Sequence, residues 1–192
     1  LSDNYSDNLK KIVNSNIDFI VNCIGVIKPK IDEKNPNSIK ETILTNSYFP
    51  LELQNLAFEN QIKYIQIGTD CVFSGNDGSY TESSFMDAKD LYGKSKIVGE
   101  TEGINKSLII SSIIGPEEGK GFSLMNWFLK NTQQEVSGYI NHLWNGVTTL
   151  NFAKVVEGFI LSNEFNFKTQ HLIPRNTITK ADLLEEFKKH FN

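Results

Sequence analysis

Between residues 18 and 114 the chain alternates short apolar runs rich in β-branched side chains with longer segments whose apolar positions recur at helical spacing. DFIVNCIG (18–25), KYIQIGT (63–69) and SLIISSII (107–114) read as strands. Between the first two, NPNSIKETILTNSYFPLELQNLAFENQ places Ile39, Ile43, Leu44, Leu51, Leu53, Leu56, Ala57 and Phe58 at roughly helical intervals. Pro50 has no backbone N–H to donate, so it should kink or restart that helix. YGKSKIVGETEG opens a further helix between the second and third strands. Strands that are apolar on both sides and joined through helices predict an α/β fold, a parallel sheet with helices on both faces.

The rhythm changes after residue 115. The pattern predicts a helix near 122–131, a short strand at EVSGYI (135–140), a loop at NHLWNG (141–146), a helix over 148–161 and a strand near TQHLI (169–173). The pattern TKAD at Thr179 to Asp182 should start a final helix, because a threonine hydroxyl there can accept from the backbone N–H three residues on. The expected division is a partial nucleotide-binding domain over 1–115 and a smaller lobe over 116–192, with return segments to the sheet. No internal repeat or low-complexity linker interrupts this order.

With 192 residues and 39% hydrophobic content the chain can bury a substantial core, which excludes disorder. A net charge of −4 provides no basic face for a phosphate backbone, so nucleic acid is not an expected partner. No apolar run approaches the ~20 residues needed to cross a bilayer, and the N-terminus lacks the order of a signal peptide. A cytoplasmic protein with no membrane partner is expected. Cys23 and Cys71 form no CxxC pair, and His142, His171 and His190 are far apart, so neither a disulfide framework nor a metal site is expected.

The candidate chemistry begins at Tyr92 and Lys96. Four residues apart on a helix they share a face, where an ammonium would favour the phenolate and draw the tyrosine from its usual ~10 toward neutrality. Such a pair also arises by chance in a lysine-rich chain. Thr69 and Asp70 follow a buried strand directly, at the end of a parallel strand that faces the ligand crevice. They equally suit a turn cap. Asn22 and Gly25 end the preceding strand, where backbone can approach a cofactor or simply leave the sheet.

In order along the chain, NCIG (22–25), TNSYFP (45–50), TDCVFSG (69–75) with YTES (80–83), and YGKSKIVGE (92–100) together resemble the extended short-chain dehydrogenase/reductase family. The resemblance is greatest to its sugar-nucleotide reductase branch, typified by dTDP-4-dehydrorhamnose reductase. It implies a Rossmann-like doubly wound parallel sheet with a small C-terminal α+β substrate lobe. It also implies NAD or NADP as cofactor, a nucleotide-sugar substrate, reduction of a 4-keto sugar in polysaccharide precursor synthesis, and allows a homodimer. By this resemblance Thr69, Tyr92 and Lys96 are the catalytic set, with Tyr92 the proton donor. Asn22, Cys23, Ile24, Gly25 and Lys96 contact the cofactor, and Asn46 supports the site. Asp70 and Cys71 face the substrate, and His142, Trp144 and Asn145 lie on a lobe loop that closes over sugar or nucleotide, although Trp144 suits core packing equally.

The sequence also departs from that family. Ile110, Ser111 and Ser112 stand where members often carry Arg-x-Ser, and Cys71 stands where a tyrosine commonly follows Thr-Asp. The dehydratase branch needs a Glu at that position. No G-x-G-x-x-G turn occurs, so the chain reads as lacking an N-terminal βαβ portion and most of a pyrophosphate site. Other members implied by the resemblance are epimerases and dehydratases of the same fold, and a non-catalytic regulatory subunit like the methionine adenosyltransferase beta subunit.

Overall fold

A computed structural model describes residues 9–11, 13, 16–117, 121–132, 134–162 and 165–191. Leu1 and the segment after it, which bear on the expected missing portion, lie outside the described residues. The described residues fall into two compact units, one drawn from 1–110 and 163–171, the other from 111–162 and 172–192.

The first unit is organised by a four-stranded sheet in the order β1 (Phe19–Asn22), β2 (Lys63–Thr69), β3 (Lys106–Ser111), β7 (Thr169–His171). β1 runs parallel to β2 with Phe19 beside Lys63 and Asn22 beside Gln66. β3 runs parallel to β7 with Leu108 beside Thr169 and Ile110 beside His171. Every residue of β3 is buried, which is why its sequence shows no in–out alternation. Leu108, Ile109 and Ile110 are each at most 2% exposed, and each such burial contributes about 1.5–3 kcal/mol. One core cluster joins Phe49, Leu53, Ala57, Ile62 and Tyr64 to Ile17 and Ile20. Another joins Val72, Leu108 and Ile110 to Phe73, Met86 and Ile97.

The long helical segment begins at Asn35, whose side chain accepts from the N–H of Asn37. It runs through α1 (Pro36–Ile43), a π-helical turn (Leu44–Tyr48) and α2 (Phe49–Glu59). Pro50 cannot donate to the carbonyl of Asn46, and the chain passes that gap with the wider turn, in which Phe49 N–H reaches back to Leu44 O. The expected restart at Pro50 therefore takes the form of a π-helical turn just before it. After β2 comes α3 (Leu91–Gly99), capped by Asp90, whose carboxylate accepts from Gly93 N–H at 2.8 Å. At its other end Lys106 donates to Gly99 O at 3.0 Å and to Thr101 O at 2.6 Å, placing a cation on the carbonyl end of the helix.

In the second unit β4 (Ile113–Ile114) pairs in parallel with β6 (Val147–Thr148), and β5 (Leu143–Trp144) pairs antiparallel with β8 (Ile178–Thr179). Helices α4 (Leu124–Lys130), α5 (Thr149–Ser162) and α6 (Lys180–Phe191) complete it. Ile114, Phe128, Leu183, Leu184 and Phe187 form its core. Thr179 Oγ1 accepts from Asp182 N–H at 3.0 Å and starts α6 as TKAD predicts. The strand expected at 135–140 does not form. Only Val136 of that stretch packs against the core, and its backbone instead anchors α6, with Ala181 N–H donating to Tyr139 O at 3.1 Å. The strand forms at Leu143–Trp144, inside the expected loop. The run 107–114 is likewise two strands, interrupted at Ser112, whose carbonyl accepts from Val147 N–H. Among the described residues no helix is long and apolar enough to cross a membrane.

Candidate active site

Thr69 is the last residue of β2 and the N-cap of a 3-10 turn over Asp70–Val72. Its Oγ1 accepts from Cys71 N–H at 3.2 Å, so the turn-capping reading of Thr69 holds. The Tyr92 hydroxyl, in the first turn of α3, lies near enough to Thr69 for Thr69 to bear on its pKa. Gly93 makes that approach possible. A Cβ there would lie 2.3 Å from the Ala88 side chain and 2.7 Å from Cys71 O, so a larger residue would push α3 away from the Thr69 turn.

Burial raises the Tyr92 pKa well above its ordinary value, Thr69 opposes that rise, and the nearby Cys71, Glu100 and Asp70 add to it. This corrects the expectation that Lys96 would draw the phenol toward neutrality. The Lys96 ammonium is committed elsewhere, to Glu100 Oε1 at 2.9 Å and Ile67 O at 3.4 Å. Tyr92 is accordingly a protonated phenol at neutral pH, suited to giving a proton. Both Lys96 and Glu100 are almost wholly buried. The second oxygen of Glu100 accepts from Thr69 N–H at 3.4 Å.

The turn beyond Thr69 presents Asp70 and Cys71 at the surface, with Cys71 Sγ 3.7 Å from Asp70 Oδ1. Desolvation and the Asp70 charge push the Cys71 thiol up, so it is not a thiolate at neutral pH. Parallel pairing makes β1 end beside β2, and Cys23, Ile24 and Gly25 leave it exposed. The Asn22 side chain is turned into the sheet, donating to Gln66 Oε1 at 2.9 Å and accepting from Ile24 N–H at 3.0 Å. What that position has left for a ligand is backbone.

Asn46, in the π-helical turn, joins this exit loop to α3. It accepts from Val26 N–H at 2.8 Å and donates to Val26 O at 3.0 Å and to Ser95 Oγ at 3.1 Å. Gly99 lets the two helices meet, because a Cβ there would stand 2.1 Å from Asn46 O. Lys28 spans from the same loop to Asp90 at 2.7 Å, and Glu33 accepts from Leu91 N–H, so the loop is tied to the N-terminus of α3 as well.

Thr69, Tyr92 and Lys96 therefore belong to one network, flanked by Asp70, Cys71 and the exposed backbone of residues 23–25. His142, Trp144 and Asn145 belong to the second unit. There the Trp144 indole donates to Ser112 Oγ at 2.8 Å and packs on the unit's core, which favours the packing reading for that residue. His142 is exposed, and its carbonyl accepts from Lys180 N–H. The sequence reading assigned no role to Glu100, Ser95 or Lys106. Glu100 was detectable in principle, since it follows Lys96 by four residues and so shares its helical face.

A family model described as the RmlD substrate binding domain matches residues 4–113. A comparison with curated proteins finds no match. Among solved structures, a hypothetical dTDP-4-dehydrorhamnose reductase from Sulfolobus tokodaii is similar at 18% identity and a TM-score of 0.79, covering 96% of this chain and 65% of that one. A dTDP-4-dehydrorhamnose reductase from Bacillus anthracis, in complex with NADP, is similar at 15% identity and a TM-score of 0.81, covering 96% and 66%. A dTDP-glucose 4,6-dehydratase from the same organism, in complex with NAD, is similar at 16% identity and a TM-score of 0.75, covering 96% and 61%. The chain thus spans about two thirds of the length of these structures or slightly less. At such identities the likeness to them is one of fold, and fold alone does not choose a reaction.

Proposed function

Because the chain belongs to the family of the RmlD substrate binding domain, we propose that it carries the proton-transfer site of a reductase acting on a nucleotide-linked 4-keto sugar, with NADH or NADPH as reductant. The observation that carries this reading is the proximity of Thr69, at the C-terminal end of a parallel strand, to Tyr92 in the first turn of α3, with a buried ammonium beside them. The exposed backbone of Cys23, Ile24 and Gly25 together with Lys96 suits the nicotinamide-ribose end of the cofactor. When bound there, the reduced nicotinamide supplies hydride to the ketone carbon.

The residues of this chain supply the rest. Tyr92, held protonated by its surroundings, gives its proton to the ketone oxygen. The Thr69 hydroxyl donates a hydrogen bond to that oxygen as charge builds on it. Asp70 and Cys71 face the sugar. No carboxylate follows Asp70 in the sequence, so the pair of acidic groups that removal of water would use is incomplete. That favours reduction over dehydration.

The test is turnover by the full-length protein that carries this chain, given NADH or NADPH and a panel of 4-keto sugar nucleotides. The expected result is stoichiometric oxidation of the cofactor and a product heavier by one hydride and one proton. A product lighter by one water without net oxidation would assign the site to dehydration. Tight binding of nucleotide sugar and cofactor without turnover would assign the protein to the regulatory class.

A further inference from the structure

One carboxylate reaches two of the three members of the site. We infer that Glu100 is a positioning residue for proton transfer: one of its oxygens holds the Lys96 ammonium, the other holds the Thr69 backbone N–H, and together they keep the lysine away from Tyr92 and the threonine facing it. This deepens the proposed reaction and rests on the assignment of Tyr92 as proton donor. The geometry is specific. Glu100 Oε1 lies 2.9 Å from Lys96 Nζ, and Oε2 lies 3.4 Å from Thr69 N. The carboxylate is 2% exposed, so water does not compete for either contact.

Packing leaves Glu100 little freedom. Gly68 lies against it, since a Cβ there would come within 3.0 Å of Glu100 Oε2, and the backbone N–H of Glu100 closes α3 by donating to Lys96 O at 2.8 Å. The charged and titratable groups around it are few. Lys96 faces it from the preceding turn and Lys106 from β3, but Lys106 is itself bound to Gly99 O and Thr101 O. Around Tyr92 stand Thr69, Asp70 and Cys71 from the end of β2, and Glu100 from its own helix. Within this group Glu100 touches both Lys96 and Thr69.

The sign of the effect follows from the charges. With Glu100 ionised, the ammonium is neutralised locally and does little to favour the Tyr92 phenolate. Replacing it by Gln keeps the volume and an acceptor for Thr69 N–H, removes the negative charge and frees the ammonium. Both changes stabilise the phenolate, so the Tyr92 pKa should fall.

The experiment is a titration of Tyr92 by NMR with ring-labelled tyrosine in the full-length protein, comparing the unmodified protein, E100Q, K96M and K96M/E100Q. E100Q should lower the Tyr92 midpoint by about one pH unit or more. In the K96M background only the direct effect of the carboxylate's charge on Tyr92 remains, so adding E100Q should lower the midpoint by clearly less than in the unmodified protein. Where turnover is measurable, the alkaline limb of the rate profile should move down with E100Q by the same amount. An unchanged Tyr92 midpoint in E100Q would overturn the inference, as would an equal shift in both backgrounds. If E100Q alone does not fold, because it strands a buried ammonium, the comparison of K96M with K96M/E100Q still decides: a shift there of about one pH unit or more counts against Glu100 acting through Lys96, and a smaller one supports it. Absence of turnover on keto sugars would remove the proposed reaction but leave this titration intact, so the two failures are distinguishable.

Discussion

Replacing Tyr92 by Phe keeps the ring against its neighbours and removes only the hydroxyl near Thr69. Turnover in the full-length protein should fall by about 10² to 10⁴, the usual share of a positioned general acid, with the cofactor Kd nearly unchanged. Steady-state rates and a cofactor titration on one preparation check both parts. Asn46 gives a contrasting case, because its side chain makes its contacts inside the protein, to both backbone groups of Val26 and to Ser95. Asn46→Ala should cost about 2 kcal/mol or more in urea unfolding, since it strands buried polar groups. It should also raise the cofactor Kd, because the backbone after β1 loses its tie to α3. Residue by residue, the candidate site was legible in the sequence through Thr69, Tyr92 and Lys96, whose spacing brings them to one strand end and one helix face. What was not visible was the charge balance. The spacing puts Glu100 on the same helical face as Lys96, but it does not say that burial commits the ammonium to Glu100 rather than to Tyr92.

Among the elements, the helices that carry the site are fitted to each other through glycine. Gly99→Ala should destabilise the first unit by about 1–3 kcal/mol, because the new methyl group would meet the backbone of Asn46 rather than a side chain that can turn aside. Gly158→Ala, on α5 with nothing within 4 Å of its added Cβ, should stabilise by about 0.5–1 kcal/mol. Chemical denaturation of both variants beside the parent tests the pair together. The contrast lies in packing, since both glycines sit in helices and look alike in sequence. The same limit explains which elements were legible. β2, rich in β-branched and aromatic residues with Tyr64 and Ile65 fully buried, and α6, with its Thr179–Asp182 cap, carry local signals that packing does not override. The stretch 135–140 has β-branched and aromatic residues, but only Val136 finds the core, so a local pattern failed where a tertiary partner was missing. Leu143–Trp144 paired instead, because β8 was there to receive it.

At the scale of the whole molecule, Lys106 links stability to pH. Burial lowers its pKa from 10.5 to about 8, with Glu100 working in the opposite direction. Between those values the unfolded chain binds the proton more tightly than the folded one, so this group adds stability as pH rises from about 8 to 10.5 and subtracts it at neutral pH. The difference in unfolding free energy between the native protein and Lys106→Met should therefore change across that window, by no more than about 3 kcal/mol. A difference that stays flat over the window would mean that Lys106 keeps its ordinary affinity for protons when folded. The order of the sheet has a consequence of a different kind. β1, β2 and β3 arrive in succession as the chain is made, but β7 can pair with β3 only after the intervening 112–168 has been synthesised. Closing so long a loop is slow relative to forming contacts between neighbours in sequence. During synthesis these three strands therefore exist for a time with one side of β3 open, and pulse-labelled amide hydrogens of Leu108 and Ile110, which face β7, should gain protection later than those that join β1 to β2. A nascent chain in that interval offers an apolar strand edge to any other chain nearby, which makes this the step where a chaperone or a slow ribosome would have the most effect on yield.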